Sequence, residues 1–463
     1  MNLAYVYPWD VVGDPAAAER IAALGVDAVA LAVSYHSTRA ATPFHPAHRV
    51  LDVLHSAFYL PVRSHAWGRL TPASPTWTTP DSYLLAQEAL RAAGLRVHAW
   101  TVLTHNAQLG TAFPHLVVRN AFGDPYPYAL CPAASDVAEY CERLVREVLV
   151  AGEPDGLILE GAGSMGFAHQ GVHEKTSGAD YDPDLMSLCF CASCAPRYPA
   201  DTRTRVRTAL DNPPPIADSP LRPAAGSPHR PSADSPLRPA AGSPHRPSAD
   251  SPLRSAADSP HKPSSDSPHR PDADSRLQPR ADSLLKPSAD SQLRPGTGSP
   301  LRTDTDSPLR PVEAALGPLA DEVRALRVEL SATLRRRLIA AARDIAPDLP
   351  ITLHANPDPW ATGPFAALPS GEPGADVLVG NCWGDPTEDA ARLTHLSELC
   401  APGQRVGAYV LTLPPRPADP DHLAELLTTY TKAGASEFHL YHAGLASPQR
   451  LTAITRALEL TAP

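Results

Sequence analysis

The sequence predicts a single (β/α)8 barrel, interrupted once by a long low-complexity segment. Short runs rich in β-forming residues alternate with amphipathic helical runs, which is the pattern of parallel βα units. The run Ala28–Val33 is apolar throughout, as strands are when helices cover both faces of a sheet. No Gly-x-Gly-x-x-Gly motif follows the first run, which disfavours an open dinucleotide-binding sheet.

Eight strands and seven helices are predicted in order. Asp14 and Pro15 form an N-cap followed by proline, and Gly25 and Gly94 are typical helix stops. The strands are Leu3–Tyr7, Ala28–Val33, Val97–Leu103, Gly156–Glu160, Ile351–Ala355, Val377–Asn381, Val406–Leu411 and Phe438–Tyr441. The helices are Pro15–Leu24, Ser82–Ala93, Asp136–Val150, Glu313–Ile345, Pro386–Leu399, Asp421–Lys432 and Pro448–Leu460.

The interruption is a degenerate 16-residue repeat, in which Ser219–Asp234 recurs unchanged as Ser235–Asp250 and then decays. Frequent prolines and few large apolar residues predict a disordered, extended loop. It is either a Ser-Pro phosphorylation tract or partner-docking arm, or a slipped repeat tolerated in a surface loop. The expected organisation is residues 1–212 as the first part of the barrel (strands one to four plus the long loop after the fourth), 213–311 as the repeat, and 312–463 as the second part.

Composition disfavours several classes of partner. A net charge of -10 and a pI near 6.0 argue against nucleic-acid binding, which needs a basic face. The first residues lack the basic start and apolar run of a signal peptide, and no apolar stretch is long enough to predict a membrane span. Seven cysteines, an odd number, suit a reducing compartment. We therefore expect a cytoplasmic protein.

Polar and aromatic residues gather where the predicted strands end, which is where barrels of this kind carry their chemistry. Aromatic faces stack on sugar rings while amides and carboxylates bind hydroxyl groups, so the pattern predicts a carbohydrate site. Two of these residues, His98 and Trp100, could instead fill the barrel interior. The predicted substrate-binding residues are Trp9, Tyr35, His36, His98, Trp100, His354, Asn356, Trp360, Trp383, Asp385 and Tyr441.

Glu160 is the first candidate catalytic residue. It ends the apolar strand Gly156–Glu160, and a carboxylate in that position is costly unless it is paired or used. The same strand belongs to a series of segments: Val97-His-Ala-Trp100, Asn120-Ala-Phe-Gly-Asp124, Leu130-Cys-Pro-Ala133, Pro154-Asp-Gly-Leu-Ile-Leu-Glu160, His173-Glu174 and Leu188-Cys-Phe-Cys-Ala-Ser-Cys194.

This series resembles the glycosyl-hydrolase-like barrel proteins of bacteria, and its last two segments are similar to actinobacterial members of that family. The resemblance covers about Met1 to Tyr198 and Ala320 to the end, but not the repeat. It implies a barrel and glycoside hydrolysis, with Glu160 as an acid/base or electrostatic residue.

Glycoside hydrolysis usually needs two carboxylates. Many retaining barrel glycosidases place the nucleophile at the end of strand seven, but the run Val406–Leu413 contains no acid. Asp358 and Glu174 are the favoured second carboxylates, and Asp385 is a further candidate. A barrel that binds carbohydrate without turning it over, or an interaction protein that docks a partner through the repeat, is the alternative.

A metal-dependent hydrolase or a metal-stabilised barrel is a further alternative. Cys189, Cys191 and Cys194 offer three thiolates at compact spacing, and His173 is the expected fourth ligand, with His169 four residues before it. Three cysteines and a histidine form a workable structural zinc site. Free cysteines that pack the start of a helix would give the same pattern. Apart from this structural zinc, the sequence predicts no required cofactor.

Overall fold

A computed structural model describes residues 1–169, 176, 179–212, 309–372 and 374–461. Residues 213–308, which hold most of the predicted repeat, lie outside the described residues. The described residues on both sides of this segment belong to one compact unit.

Eight parallel strands close into a barrel, which confirms the predicted (β/α)8 fold. Each strand pairs in parallel with the next, and the last pairs with the first. All eight predicted strands are present, with ends that differ by a few residues. They are β1 Asn2–Val6, β2 Ala28–Tyr35, β3 Arg96–Val102, β4 Gly156–Glu160, β5 Ile351–Asn356, β6 Val377–Cys382, β7 Arg405–Leu411 and β8 Ala435–Tyr441.

The barrel is continuous across the low-complexity segment. Leu157 and Leu159 of β4 pair with Ile351 and Leu353 of β5, although the two strands lie on opposite sides of it. Strands one to four and strands five to eight are therefore two parts of one sheet.

Among the described residues, helices lie at the seven predicted positions, six of them between strands and the last after β8. They are α1 Ala17–Ala22, α2 Ser82–Ala92, α3 Ser135–Gly152, α4 Ala320–Ile345, α5 Pro386–Glu398, α6 Pro420–Lys432 and α7 Pro448–Thr461. The described residues between β5 and β6 contain no helix. Within the described part of the chain, no helix is both long and apolar enough to cross a membrane.

Two helix predictions need correction. The single helix predicted over Glu313–Ile345 is wrong: a short helix, Pro311–Leu316, ends before a 3-10 turn at Gly317–Leu319, and α4 follows. Gly317 has a φ of 56°, a positive value that glycine adopts more readily than other residues, and the first helix ends there. The helix predicted from Pro15 begins at Ala17, because the Asp14 side chain accepts a hydrogen bond from the Ala16 N–H and caps the preceding turn.

Long connections follow β3 and β4. The first contains an antiparallel hairpin, Val117–Arg119 with Pro125–Leu130. The second contains the short helices Pro183–Met186 and Thr202–Asp211. A second hydrophobic cluster, separate from the barrel core, joins these two helices to Pro311–Leu316, a helix of the same connection that follows the low-complexity segment.

Candidate functional site

Glu160 lies at the carboxyl end of β4 and is held by side chains from the two neighbouring strands. Trp100 Nε1 on β3 donates a 2.6 Å hydrogen bond to Glu160 Oε2, and His354 Nδ1 on β5 lies 3.3 Å from the same oxygen. Only 7 % of the Glu160 surface is exposed. Neighbouring parallel strands end at the same edge of the sheet, so residues distant in sequence meet at one carboxylate.

The surroundings of Glu160 favour its ionised form. Burial alone would raise the pKa of this carboxyl, but the contacts with His354 and Trp100 outweigh burial and lower the pKa below its ordinary value. Glu160 therefore carries a negative charge at neutral pH.

A chain of buried polar side chains leads from Glu160 into the barrel. The Tyr5 hydroxyl lies 3.0 Å from His354 Nε2 and 3.0 Å from His439 Nδ1. The Tyr5 hydroxyl carries one proton, so it donates to one of these two histidine nitrogens and accepts from the other. This chain reaches the starts of β8 and β7. There His439 Nε2 lies 3.7 Å from Glu437 Oε2, and Glu437 forms a 2.6 Å ion pair with Arg405.

Aromatic side chains surround Glu160 at the mouth of the barrel. The Tyr7 hydroxyl donates to the Tyr35 hydroxyl at 2.9 Å and lies 3.3 Å from the Tyr441 hydroxyl. The ring of Trp383, which is partly exposed, lies 4.8 Å from the ring of Tyr441 and is stacked on Tyr409 at 5.4 Å. Burial raises the pKa values of Tyr7, Tyr35 and Tyr441, so their hydroxyls stay protonated at neutral pH.

Three partly exposed histidines form a second part of the mouth. The rings of His36 and His105 stack at 4.1 Å, and His169 meets His105 edge-on at 4.6 Å. Burial lowers the pKa of His36, lowers that of His169 to about 4, and lowers that of His105 well below its ordinary value. The three histidines are therefore neutral at pH 7 and present uncharged rings.

Asp10 is a further buried carboxylate, and the sequence did not predict it as a site residue. It follows β1, and its Oδ2 accepts a 2.8 Å hydrogen bond from the Tyr7 N–H and lies 3.9 Å from His442 Nδ1. Burial raises the pKa of Asp10 to about 7. The available sequence signal was its position three residues after the end of a predicted strand, and many residues with only a structural role lie at such positions.

Six of the predicted binding residues are linked by contacts in the mouth. Tyr35 stacks on His36 and meets Trp100 edge-on. Trp9 stacks on Tyr7 at 4.4 Å with only 2 % of its surface exposed. It therefore lies behind the residues that line the mouth and supports Tyr7. The linked residues are Tyr35, His36, Trp100, His354, Trp383 and Tyr441.

His98 lies lower in the barrel. It precedes Trp100 by two residues on β3, and its side chain faces Gly156 at the start of β4, where a Cβ atom would lie 2.6 Å from His98 Nδ1. Burial lowers the pKa of His98 to about 4. These contacts are those of an interior residue.

Two more predicted residues lie in the loop after β5. The Asp358 Oδ1 atom accepts a 2.7 Å hydrogen bond from Arg310, which also donates to Asp184 at 2.6 Å. Trp360 is buried in the second hydrophobic cluster, where its Nε1 donates to Glu313 at 3.1 Å. Both side chains thus hold the loop against the segment that follows the low-complexity region.

The remaining predicted residues have local roles or lie outside the described residues. Asn356 Oδ1 accepts a hydrogen bond from the Asp358 N–H, and the exposed Asp385 caps the N-terminus of α5. Glu174 and His173 fall among residues 170–175, which the structure does not describe.

The predicted cysteines meet a fourth cysteine. The Sγ atoms of Cys189, Cys191 and Cys194 lie 3.9, 3.5 and 3.5 Å from that of Cys131, and all four ligand atoms lie within 4.8 Å of one another. Cys131 falls in one of the segments that carry the family resemblance, but the sequence did not identify it as a ligand. Cys131 lies far from the other three cysteines in sequence, so no local motif indicated that the four would meet.

Comparisons with known proteins give structural similarity only. No family model matches the sequence, and no curated protein matches it. Three similar solved structures are glycoside hydrolases. Alpha-L-fucosidase isoenzyme 2 from Paenibacillus thiaminolyticus is 10% identical with a TM-score of 0.48; the match covers 99% of this chain and 48% of that protein, so the chain spans about half its length.

The other two structures match over nearly their whole length. The PgaB (BpsB) glycoside hydrolase domain from Bordetella bronchiseptica is 11% identical with a TM-score of 0.49, and the match covers 98% of this chain and 97% of that one. The catalytic domain of beta-amylase from Paenibacillus polymyxa is 10% identical with a TM-score of 0.48, and the match covers 100% of this chain and 99% of that one. Such identities do not indicate a shared reaction, which has to be argued from the side chains of the mouth.

Proposed function

We propose that this barrel is a glycoside hydrolase in which Glu160 is the reacting carboxylate. The observation that carries the proposal is a buried, ionised carboxylate at the carboxyl end of β4, inside a mouth of aromatic rings. A fixed negative charge stabilises the oxocarbenium-like transition state of glycosidic cleavage, and aromatic rings bind the apolar faces of sugars.

The lowered pKa of Glu160 suits one of the two carboxylate roles. An ionised carboxylate acts as nucleophile or as electrostatic stabiliser, whereas the proton donor needs a raised pKa. Of the two roles expected for Glu160, acid/base or electrostatic, the lowered pKa supports that of the negatively charged partner.

A proton donor is needed beside this charged partner. Asp10, whose pKa is raised to about 7, has the protonation that a donor needs and lies beside His442. Glu174, predicted from the sequence, is the other candidate. Asp358 is less suitable because its carboxylate is already paired with Arg310.

Substitution of Glu160 tests the reaction directly. The Glu160→Gln variant keeps the shape and can still accept from Trp100, but it loses the charge. Turnover of 4-nitrophenyl glycosides and oligosaccharides should fall by about 10³-fold or more, with sugar-induced thermal stabilisation retained. Glu139→Gln, on the outer face of α3, is the control and should keep full activity. Equal turnover in Glu160→Gln and wild type would remove Glu160 from the mechanism.

A barrel that binds carbohydrate without turnover is the second candidate. It is favoured by the end of β7, where Leu411-Thr412-Leu413 supplies no carboxylate. Sugars would then raise the melting temperature of the wild type while no glycoside in the panel is cleaved. A metal-dependent hydrolase has less support, since four cysteine ligands fill a tetrahedral ion and leave no position for a reacting water.

A further inference from the structure

Four cysteines from two separate connections meet in a third hydrophobic cluster. Cys131 directly follows the hairpin after β3, and Cys189, Cys191 and Cys194 belong to the connection after β4. Each has 6 % or less of its surface exposed, and the four come within 4.8 Å of one another.

The spacing of the sulfur atoms fits a metal ion and does not fit a disulfide. A disulfide needs sulfurs about 2.05 Å apart, whereas these lie 3.5 to 3.9 Å from Cys131. A tetrahedral zinc ion with Zn–S bonds of about 2.3 Å separates its sulfurs by about 3.8 Å. The cluster therefore has the dimensions of a zinc site.

The chemistry of the four ligands also favours zinc. A tetrahedral set of four thiolates selects zinc or iron over calcium, magnesium or manganese, which prefer oxygen. Thiolates this close repel one another when ionised, and a divalent cation removes that repulsion. We propose that Cys131, Cys189, Cys191 and Cys194 bind one structural zinc ion, with Cys131 in the place that the sequence had assigned to His173.

The ion would fix one wall of the mouth. The hairpin that leads to Cys131 carries Tyr126 and Tyr128, whose hydroxyls donate to the carbonyls of Met186 and Gly166 in the connection after β4. The same connection carries His169, which packs against His105. Zinc thus joins the hairpin to the segment that places His169 at the mouth, and it does so without taking part in the reaction.

The metal content of the full chain tests the proposal, independently of any glycosidase activity. Protein purified without a metal-affinity step should contain about one equivalent of zinc by elemental analysis. Cys131→Ser and Cys194→Ser should each contain less than about 0.2 equivalents. Cys400→Ser, which changes a cysteine outside the cluster, should keep the wild-type content. Wild-type protein with less than about 0.2 equivalents, or with iron in place of zinc, overturns the proposal.

If the serine variants do not fold, a spectrum of the cobalt-loaded wild type still tests whether the four cysteines bind a metal. Full-length protein expressed with cobalt should show the intense absorption of tetrahedral cobalt–thiolate coordination, and its absence counts against four thiolate ligands. Removal of zinc by a chelator should lower the melting temperature by about 5 °C or more, because the four cysteines are close enough to bind one ion together only in the folded chain. An unchanged melting temperature after complete removal contradicts the structural role.

Discussion

Tyr5 is the central residue of the buried polar chain, because its single hydroxyl contacts two histidines. Its contacts with His354 and His439 are both 3.0 Å, and all three side chains are completely buried. Since a buried polar atom without a partner is costly, both histidine nitrogens depend on the Tyr5 hydroxyl. Through His354, Tyr5 also orients the group that holds Glu160 ionised.

The Tyr5→Phe substitution should destabilise the barrel. It removes one oxygen and leaves two buried histidine nitrogens without their partner, so we expect a loss of about 1–3 kcal/mol in the free energy of unfolding. Urea denaturation followed by circular dichroism measures it.

Tyr83→Phe is the matched control. Tyr83 is also fully buried, but its hydroxyl has no hydrogen-bond partner among the described residues. Removal of that hydroxyl should be neutral or slightly stabilising. Equal losses in the two variants would show that the polar chain adds nothing to stability.

Asp10 should make stability depend on pH. Its pKa is raised by burial to about 7 in the folded chain, from an ordinary value of 3.8. Between these values the folded state binds more protons than the unfolded state, so stability falls as pH rises from about 4 to 7. In Asp10→Asn, the free energy of unfolding should fall less steeply with pH over this range, by up to about 1.4 kcal/mol per pH unit.

Urea denaturation at several pH values between about 4 and 7 tests this prediction. The asparagine retains an oxygen for the Tyr7 N–H, so the local turn is preserved. Asp348→Asn, at an exposed position, is the control and should leave the slope unchanged. An identical slope in Asp10→Asn and wild type contradicts the raised pKa.

Residues were predictable where a local pattern carried the signal. Glu160 stood out because it ends an apolar strand, and Cys189, Cys191 and Cys194 because they are close in sequence. His105 and Cys131 were missed because only the folding of separate connections brings them to their partners.

At the scale of elements, the hairpin after β3 depends on a small residue in the helix packed against it. Gly110 lies in the short helix Ala107–Ala112, and a Cβ atom there would lie 1.8 Å from the carbonyl oxygen of Pro127. That oxygen belongs to the backbone of a paired strand and cannot rotate away. Glycine therefore allows the helix to approach the hairpin.

Gly110→Ala should destabilise the protein even though alanine favours helix formation. The clash must move the helix or the hairpin, at a cost of about 1–3 kcal/mol. Thermal unfolding of the variant measures the loss. Gly68→Ala is the control, because its Cβ would meet only the flexible ends of Glu139 and Arg143. A melting temperature of Gly110→Ala at or above that of wild type would show that the helix has room for a methyl group beside the hairpin.

The strands were predicted better than the connections. Buried parallel strands are short apolar runs, and all eight were recognised within a few residues. The helix Thr202–Asp211 was not predicted, because its buried residues pack against other connections and not against the barrel core. The hairpin after β3 was also not predicted, because its strands are short and pack partly on the barrel core and partly on the connection after β4. The break at Gly317 was missed because the helical pattern resumes three residues later.

At the scale of the whole molecule, the residues that flank the low-complexity segment lie together. Leu210 and Val312, from the helices before and after it, are buried in the same cluster. A short linker can therefore join the two helices without disturbing the barrel. The sequence predicted the segment from composition alone, and composition gives no information about how near its ends lie.

Replacement of residues 213–308 by about ten glycine and serine residues should leave the barrel folded. A shorter loop costs less closure entropy, so the melting temperature should stay the same or rise by a few degrees. Differential scanning calorimetry of the shortened and full-length chains makes the comparison. A fall of more than about 5 °C would assign the segment a part in barrel stability.

The pairing of β4 with β5 has a consequence for synthesis on the ribosome. Strands one to four emerge first, and neither β1 nor β4 can find its second neighbour until the residues after the low-complexity segment have been translated. At about 5–20 residues per second, the wait from β4 to β5 is roughly ten to forty seconds, and the wait from β4 to β8 is roughly fifteen to fifty-five seconds. During this interval, two sheet edges remain unpaired and can pair with other chains. We therefore expect the nascent protein to bind chaperones that the closed barrel does not need.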